Sequence, residues 1–167
     1  MTGVQTCALP IYIHLFAKGR GVPFSALVET RQALEPMIAQ LAAVNRTAED
    51  LAMLNQIATR LDAAAQNDVP CFLEENAHWH IALAVASHND LLRAFAVSIS
   101  GLMVEASRFD YFGSPEIRRL VPHVHRRILQ AIEARDAAAA RRRAERDIEA
   151  YAKHLAAALV DASRKRK

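Results

Sequence analysis

The chain has 167 residues, is 52% hydrophobic with only five glycines, and carries a formal net charge of +3, which suits one domain with a core of its own. Four of the positive charges lie in the C-terminal "SRKRK", so the remainder is near neutral and does not argue for nucleic-acid binding by this piece. No run of 18 or more apolar residues occurs, and no transmembrane helix is expected.

The opening "MTGVQTCALPI" holds no charged residue, and Gln5, Thr6 and Pro10 interrupt its apolar run, so it is not a secretory signal. "TGVQTCALPI" resembles the translation of a sequencing-library adapter. Residues 1–11 are therefore expected to be foreign, and an N-terminal part of the natural product to be missing. With Cys7 set aside, Cys71 is alone and no intrachain disulfide is expected, as in a reducing cytoplasm. Residues 12–25 read as the remnant of a linker, ending in the Gly- and Pro-containing "KGRGVPFS" from Lys18 to Ser25.

Helical patterning starts at Ser25, a plausible N-cap. Leu27, Leu34, Ile38 and Leu41 recur at helical spacing, with Pro36 expected to kink the helix or remove one backbone hydrogen bond. Thr47, followed by acids, restarts a helix carried by Leu51, Leu54, Ile57 and Leu61. Asp68 can cap a third helix with Pro70 in its first turn, running to about Ser87. Asn89 marks the next boundary, and a fourth helix follows from Asp90 to about Arg108. Ser114 and Pro115 open a fifth helix to about Ala134, and Asp136 caps a long sixth. Residues 161–167 read as a basic, solvated tail. With no strand pattern, the expected fold is an all-α, antiparallel bundle of about six to seven helices.

"NAHWH" puts Asn76 and His80 four residues apart, on one helix face, with His78 turned elsewhere. "HVH" likewise separates His123 from His125, and the last helix carries Asp147 with His154 two turns on. Asn76, His80, His125 and Asp147 can gather inside a bundle, and first-row divalent metals accept imidazole nitrogen and carboxylate oxygen together. Spacing alone leaves ordinary surface or satisfied core histidines equally open.

"LVETRQALEPMIAQLAA" with "RTAEDLAML", then "NAHWHIALAVASHNDLL", then "HRRILQAIEARDAAAA" resemble in order the motifs of the FCD effector-binding domain. That domain is the C-terminal part of FadR-type GntR transcription regulators. The likeness covers about Leu27 to Leu155, within a domain read as residues 26–160. It implies that Asn76, His80, His125 and Asp147 occupy the positions of the family's metal ligands. Two depart from the family pattern: Asn stands for Asp at 76, and Asp for His at 147. One carboxylate and two imidazoles remain, a set suited to zinc, nickel or manganese, with positions open for an effector. His154 is the alternative to Asp147.

The resemblance also implies a small organic acid as effector, a homodimer, and DNA binding only through a winged helix-turn-helix absent from this chain. Arg31 and Arg108 are the candidate carboxylate anchors, because a guanidinium grips a carboxylate with two parallel hydrogen bonds. Arg31 also stands four residues before Glu35, the spacing of an intrahelical ion pair. The competing function is a metal-dependent helical-bundle enzyme, since a metal with open positions can activate water. Against it, no second carboxylate-rich Glu-x-x-His motif and no evident general base occur, so a non-enzymatic sensor is expected.

Overall fold

The computed structural model describes residues 8–107 and 111–164 of the chain. Seven α-helices follow one another: α1 Ala8–Arg20, α2 Phe24–Asn45, α3 Ala48–Asn67, α4 Val69–Ala86, α5 Asp90–Ser107, α6 Pro115–Glu133 and α7 Ala137–Arg164, with a single 3₁₀ turn at Tyr111–Gly113. No strand occurs among the described residues. The fold is an all-α helical bundle, as expected.

Most boundaries follow from local cap chemistry. The Thr47 hydroxyl accepts from Asp50 N–H at 3.1 Å and the Asp50 carboxylate accepts from Thr47 N–H at 2.9 Å, so two donors at the start of α3 are satisfied reciprocally. Asp68 accepts from Cys71 N–H, Ser114 from Ile117 N–H and Asp136 from Ala139 N–H, closing the starts of α4, α6 and α7. Asn89 Oδ1 accepts from both Leu91 and Leu92 N–H at the entry to α5.

Three expectations change. The break expected over Lys18–Ser25 is shorter: Lys18 to Arg20 end α1, and Phe24 and Ser25 already belong to α2. Gly21, at φ 60°, forms the stop, with Val22 N–H reaching back to the Ala17 carbonyl, a reversal that glycine adopts without steric cost. Pro23 rather than Ser25 occupies the N-cap of α2, without a side-chain cap bond. Finally, α7 continues to Arg164, so the basic end begins inside a helix. Pro36 lies buried within α2, which runs on past it to Asn45.

α2 packs most extensively on α7 and also touches α4, α5 and α6. Two apolar clusters result. One gathers Ile38, Leu54, Trp79, Leu83, Ile128 and Ile132; the other gathers Leu61, Phe72, Phe112, Val121, Ile148 and Tyr151. α1 lies apart from them, against α5, where Ile13 meets Leu27, Ile99 and Met103. No helix among the described residues is long and apolar enough to cross a membrane.

Candidate functional site

Polar side chains interrupt the apolar interior where the two clusters meet. Arg31 from α2, Asn76 and His80 from α4, and His125 from α6 are all buried, and Asp147 from α7 is partly buried. Helical spacing explains the grouping. Asn76 and His80 share the face of α4 that also carries Leu83, and His125 shares a face of α6 with Val121, Ile128 and Ile132.

Two clefts share this centre. One is lined by Arg31, Asn76, His80, His125, Asp147 and Tyr151, with Phe112, Val121 and Ile148 around them. The other holds Arg31, Glu35, His80, Trp79 and Asp147 at one end, and otherwise only apolar side chains. Arg31, His80 and Asp147 thus border both. All four residues placed at the family's ligand positions lie around one cleft, together with one of the two candidate arginines. Arg108 lies outside the described residues. His154 is exposed, whereas Asp147 faces the cleft. His78 and His123 are exposed, as their helix phase predicts.

Arg31 organises the geometry. Its Nε donates to Glu35 Oε1 at 2.6 Å and its Nη2 to Glu35 Oε2 at 3.4 Å, so the intrahelical ion pair is present. The same Nη2 lies 3.2 Å from His80 Nε2. A guanidinium has donors only, so His80 Nε2 must be the acceptor and the ring proton sits on Nδ1. That Nδ1 is buried without a hydrogen-bond partner, 3.5 Å from Glu35 Oε1. Burial first, then the neighbouring Arg31 charge, hold the His80 pKa well below the usual imidazole range, so the ring is neutral at pH 7. Burial alone disfavours the Arg31 charge, but Glu35 outweighs it and the pKa rises above its ordinary value. The Arg31 guanidinium also stacks 5.1 Å above the Tyr151 ring.

His125 lies with Nε2 3.5 Å from Asp147 Oδ2, and its buried Nδ1 has no partner. Its ring stacks on Trp79, centroids 4.8 Å apart and nearly parallel, and meets the His80 ring edge-on at 5.5 Å. Trp79 Nε1 is likewise buried and unpartnered.

The residue types suit a divalent metal, but their arrangement does not. Among the described residues no three or more His, Cys, Asp or Glu side chains gather closely enough to hold one. A guanidinium already covers His80 Nε2, and a second cation there would face its repulsion. Arg31, the Nδ1–H of His80 and the Trp79 indole are the donors here, and the carboxylates of Glu35 and Asp147 stand among them.

Sequence reasoning anticipated the Arg31–Glu35 pair but missed Tyr151 as the stacking partner of Arg31, and Arg118. Arg118 is buried and donates to the carbonyls of Phe112, Gly113 and Ala65, tying the 3₁₀ turn over the cleft to α3. Arg126 is half-buried and bonded to Asp62.

Residues 26–150 match the FCD domain family. The Glc operon transcriptional activator of Escherichia coli (strain K12) is 29% identical over 150 residues, covering 86% of this chain and 59% of that protein. The galactonate operon transcriptional repressor of the same strain is 29% identical over 116 residues, covering 70% of this chain and 50% of that protein. The chain therefore spans between half and three fifths of the length of these curated relatives. Among solved structures, a Streptococcus agalactiae GntR superposes with a TM-score of 0.66 at 22% identity, covering 91% of this chain and 62% of that one. E. coli McbR/YncC superposes with a TM-score of 0.62 at 20% identity, covering 80% and 66%. Those two likenesses concern the fold. The family match and the relatives concern transcription regulators, not enzymes. A bundle of this order, matched over most of its length, belongs to the FCD domain family and is homologous to two curated transcription regulators.

Proposed function

We propose that the chain is the ligand-sensing domain of a cytoplasmic transcription regulator, and that its effector is a small organic acid bound without a metal at Arg31. The observation that carries this is a buried guanidinium whose present carboxylate partner, Glu35, is borrowed from its own helix. An incoming carboxylate competes with Glu35 for the same two-pronged grip. His80 Nδ1–H and the Asn76 amide supply further donors beside it. Because α2 carries Arg31 and packs on α7, α4, α6 and α5, exchanging Glu35 for a ligand changes the contacts of the helix at the centre of the bundle. Such a ligand shifts the regulator only by its differential affinity for two arrangements. DNA reading belongs to a winged helix-turn-helix outside this chain. Tyr12, Leu15 and Phe16 of α1, with Leu91 and Phe95 of α5, are exposed apolar side chains that the proposed homodimer would cover.

A thermal-shift screen of organic acids, with and without a chelator, tests the reading. An acid held at about 100 times its Kd should raise Tm by roughly 5 to 10 °C, equally in the chelator. If no acid stabilises the protein with or without added metal, the sensing proposal fails. A divalent ion, zinc, nickel or manganese, is the second reading. The unpartnered Nδ1 atoms of His80 and His125, and Asp147 beside His125, favour it. About one ion per purified chain, lost in both His80→Ala and Asp147→Ala, would replace the metal-free account with this one.

A further inference from the structure

We infer that the effector is an amphiphilic monocarboxylate whose body is hydrocarbon, rather than a polyhydroxylated acid. This rests on the proposed sensing role and narrows its ligand class. The cleft that Arg31 and His80 border, tight in this structure with a free volume of about 20 Å³, is otherwise walled mainly by Leu34, Ile38, Leu83, Ile99, Met103 and Ile128. No serine, threonine, asparagine or glutamine lines it. Its polar groups are confined to Arg31, Glu35, His80, Asp147 and the Trp79 indole. A sugar acid needs a partner for each hydroxyl that it buries, and each unmet hydroxyl costs binding free energy. A hydrocarbon chain that opens this cleft gains from every methylene removed from water.

The buried polar atoms without partners support a ligand at this place. His80 Nδ1 and Trp79 Nε1 belong to residues that line the cleft, both at least nine-tenths buried. Buried donors are nearly always satisfied in folded proteins. Two unmet donors beside an arginine, in a cleft lined otherwise mostly by apolar side chains, match one carboxylate head with an apolar body beside it. The second cleft has the opposite character. Asn76, His125, Asp147 and Tyr151 line it, and it can take a small polar substituent near the head, but not the body.

Trp79 is the sole tryptophan of the chain, so its emission reports on this cleft directly. Titrating the whole chain with butanoate, hexanoate and gluconate separates the possibilities. Hexanoate and gluconate share charge and carbon number and differ only in hydroxyls. Expected is a Trp79 emission change with affinity rising about threefold to fourfold per added methylene from butanoate to hexanoate, and gluconate weaker than hexanoate by at least tenfold. Gluconate equal to or tighter than hexanoate, with binding still abolished by Arg31→Met, overturns the hydrocarbon inference and leaves the sensing role standing. No response to any of the three, in emission or Tm, overturns the inference, while the broader acid screen decides the sensing role. Ala96→Leu, which narrows the channel beside Ile99 and Met103, should weaken hexanoate more than tenfold and butanoate little. Equal weakening of both would count against the channel as the seat of the ligand body.

Discussion

At the scale of single residues, Arg31 is the group on which the site depends. Its charge is buried, bonded to Glu35 and in contact with His80. Arg31→Met leaves the Glu35 carboxylate partly buried and unpaired, and should destabilise the fold by about 3 kcal/mol in urea unfolding. The double variant Arg31→Met with Glu35→Met should recover most of that loss, because no uncompensated charge remains. His80 gives the corresponding pH signature. Its folded pKa lies well below the usual value through burial and the adjacent guanidinium, whereas the unfolded ring titrates near about 6.5. Below that pH the unfolded chain binds a proton that the folded chain refuses, so stability falls as the solution is acidified from pH 7 towards 5. His80→Phe should flatten this part of the stability curve. An unchanged slope would show that His80 is not the titrating group.

At the scale of elements, what was legible in the sequence follows the range of the interaction. Thr47, Asp68, Ser114 and Asp136 are read from three or four neighbouring residues, and each caps the helix expected of it. Thr47→Ala should cost about 1 kcal/mol, measured by chemical denaturation. Asp50, the reciprocal partner, extends the argument to pH. Burial opposes its charge, but hydrogen bonds from Thr47 and His88 prevail and lower its pKa, so its contribution is present above the unfolded carboxylate pKa and disappears as pH falls through the lowered value. The start of α2 was misplaced because Ser25 has the right chemistry at the wrong place: Phe24 is already helical, so Pro23 precedes the helix. Arg118 escaped notice because its role depends on three carbonyls brought together by tertiary packing. Arg118→Leu should therefore destabilise by about 2 to 4 kcal/mol, well beyond a surface arginine such as Arg142.

At the scale of the whole molecule, the candidate site was legible where helix phase and ordered motifs acted together. The i, i+4 pair Asn76 and His80 points one way by geometry alone, and the FCD-like order of motifs brought His125 and Asp147 to the same cleft. Trp79 and His80, neighbours one residue apart on α4, both line one cleft. Tyr151 beside Arg31, and the approach of Glu35 to His80, could not be read in advance, because both depend on how α2 packs on α4 and α7. The chain's fold and family then agree on a regulatory domain, and the buried Arg31 is the group proposed to meet its ligand.

The most direct test of that claim is calorimetric titration of the best-stabilising acid into the wild-type chain and into Arg31→Lys. Lysine keeps the charge and loses the fork. The account predicts stoichiometric binding to the wild type and affinity at least tenfold weaker in the variant, with the fold retained by circular dichroism. Equal affinity in the two proteins would contradict it.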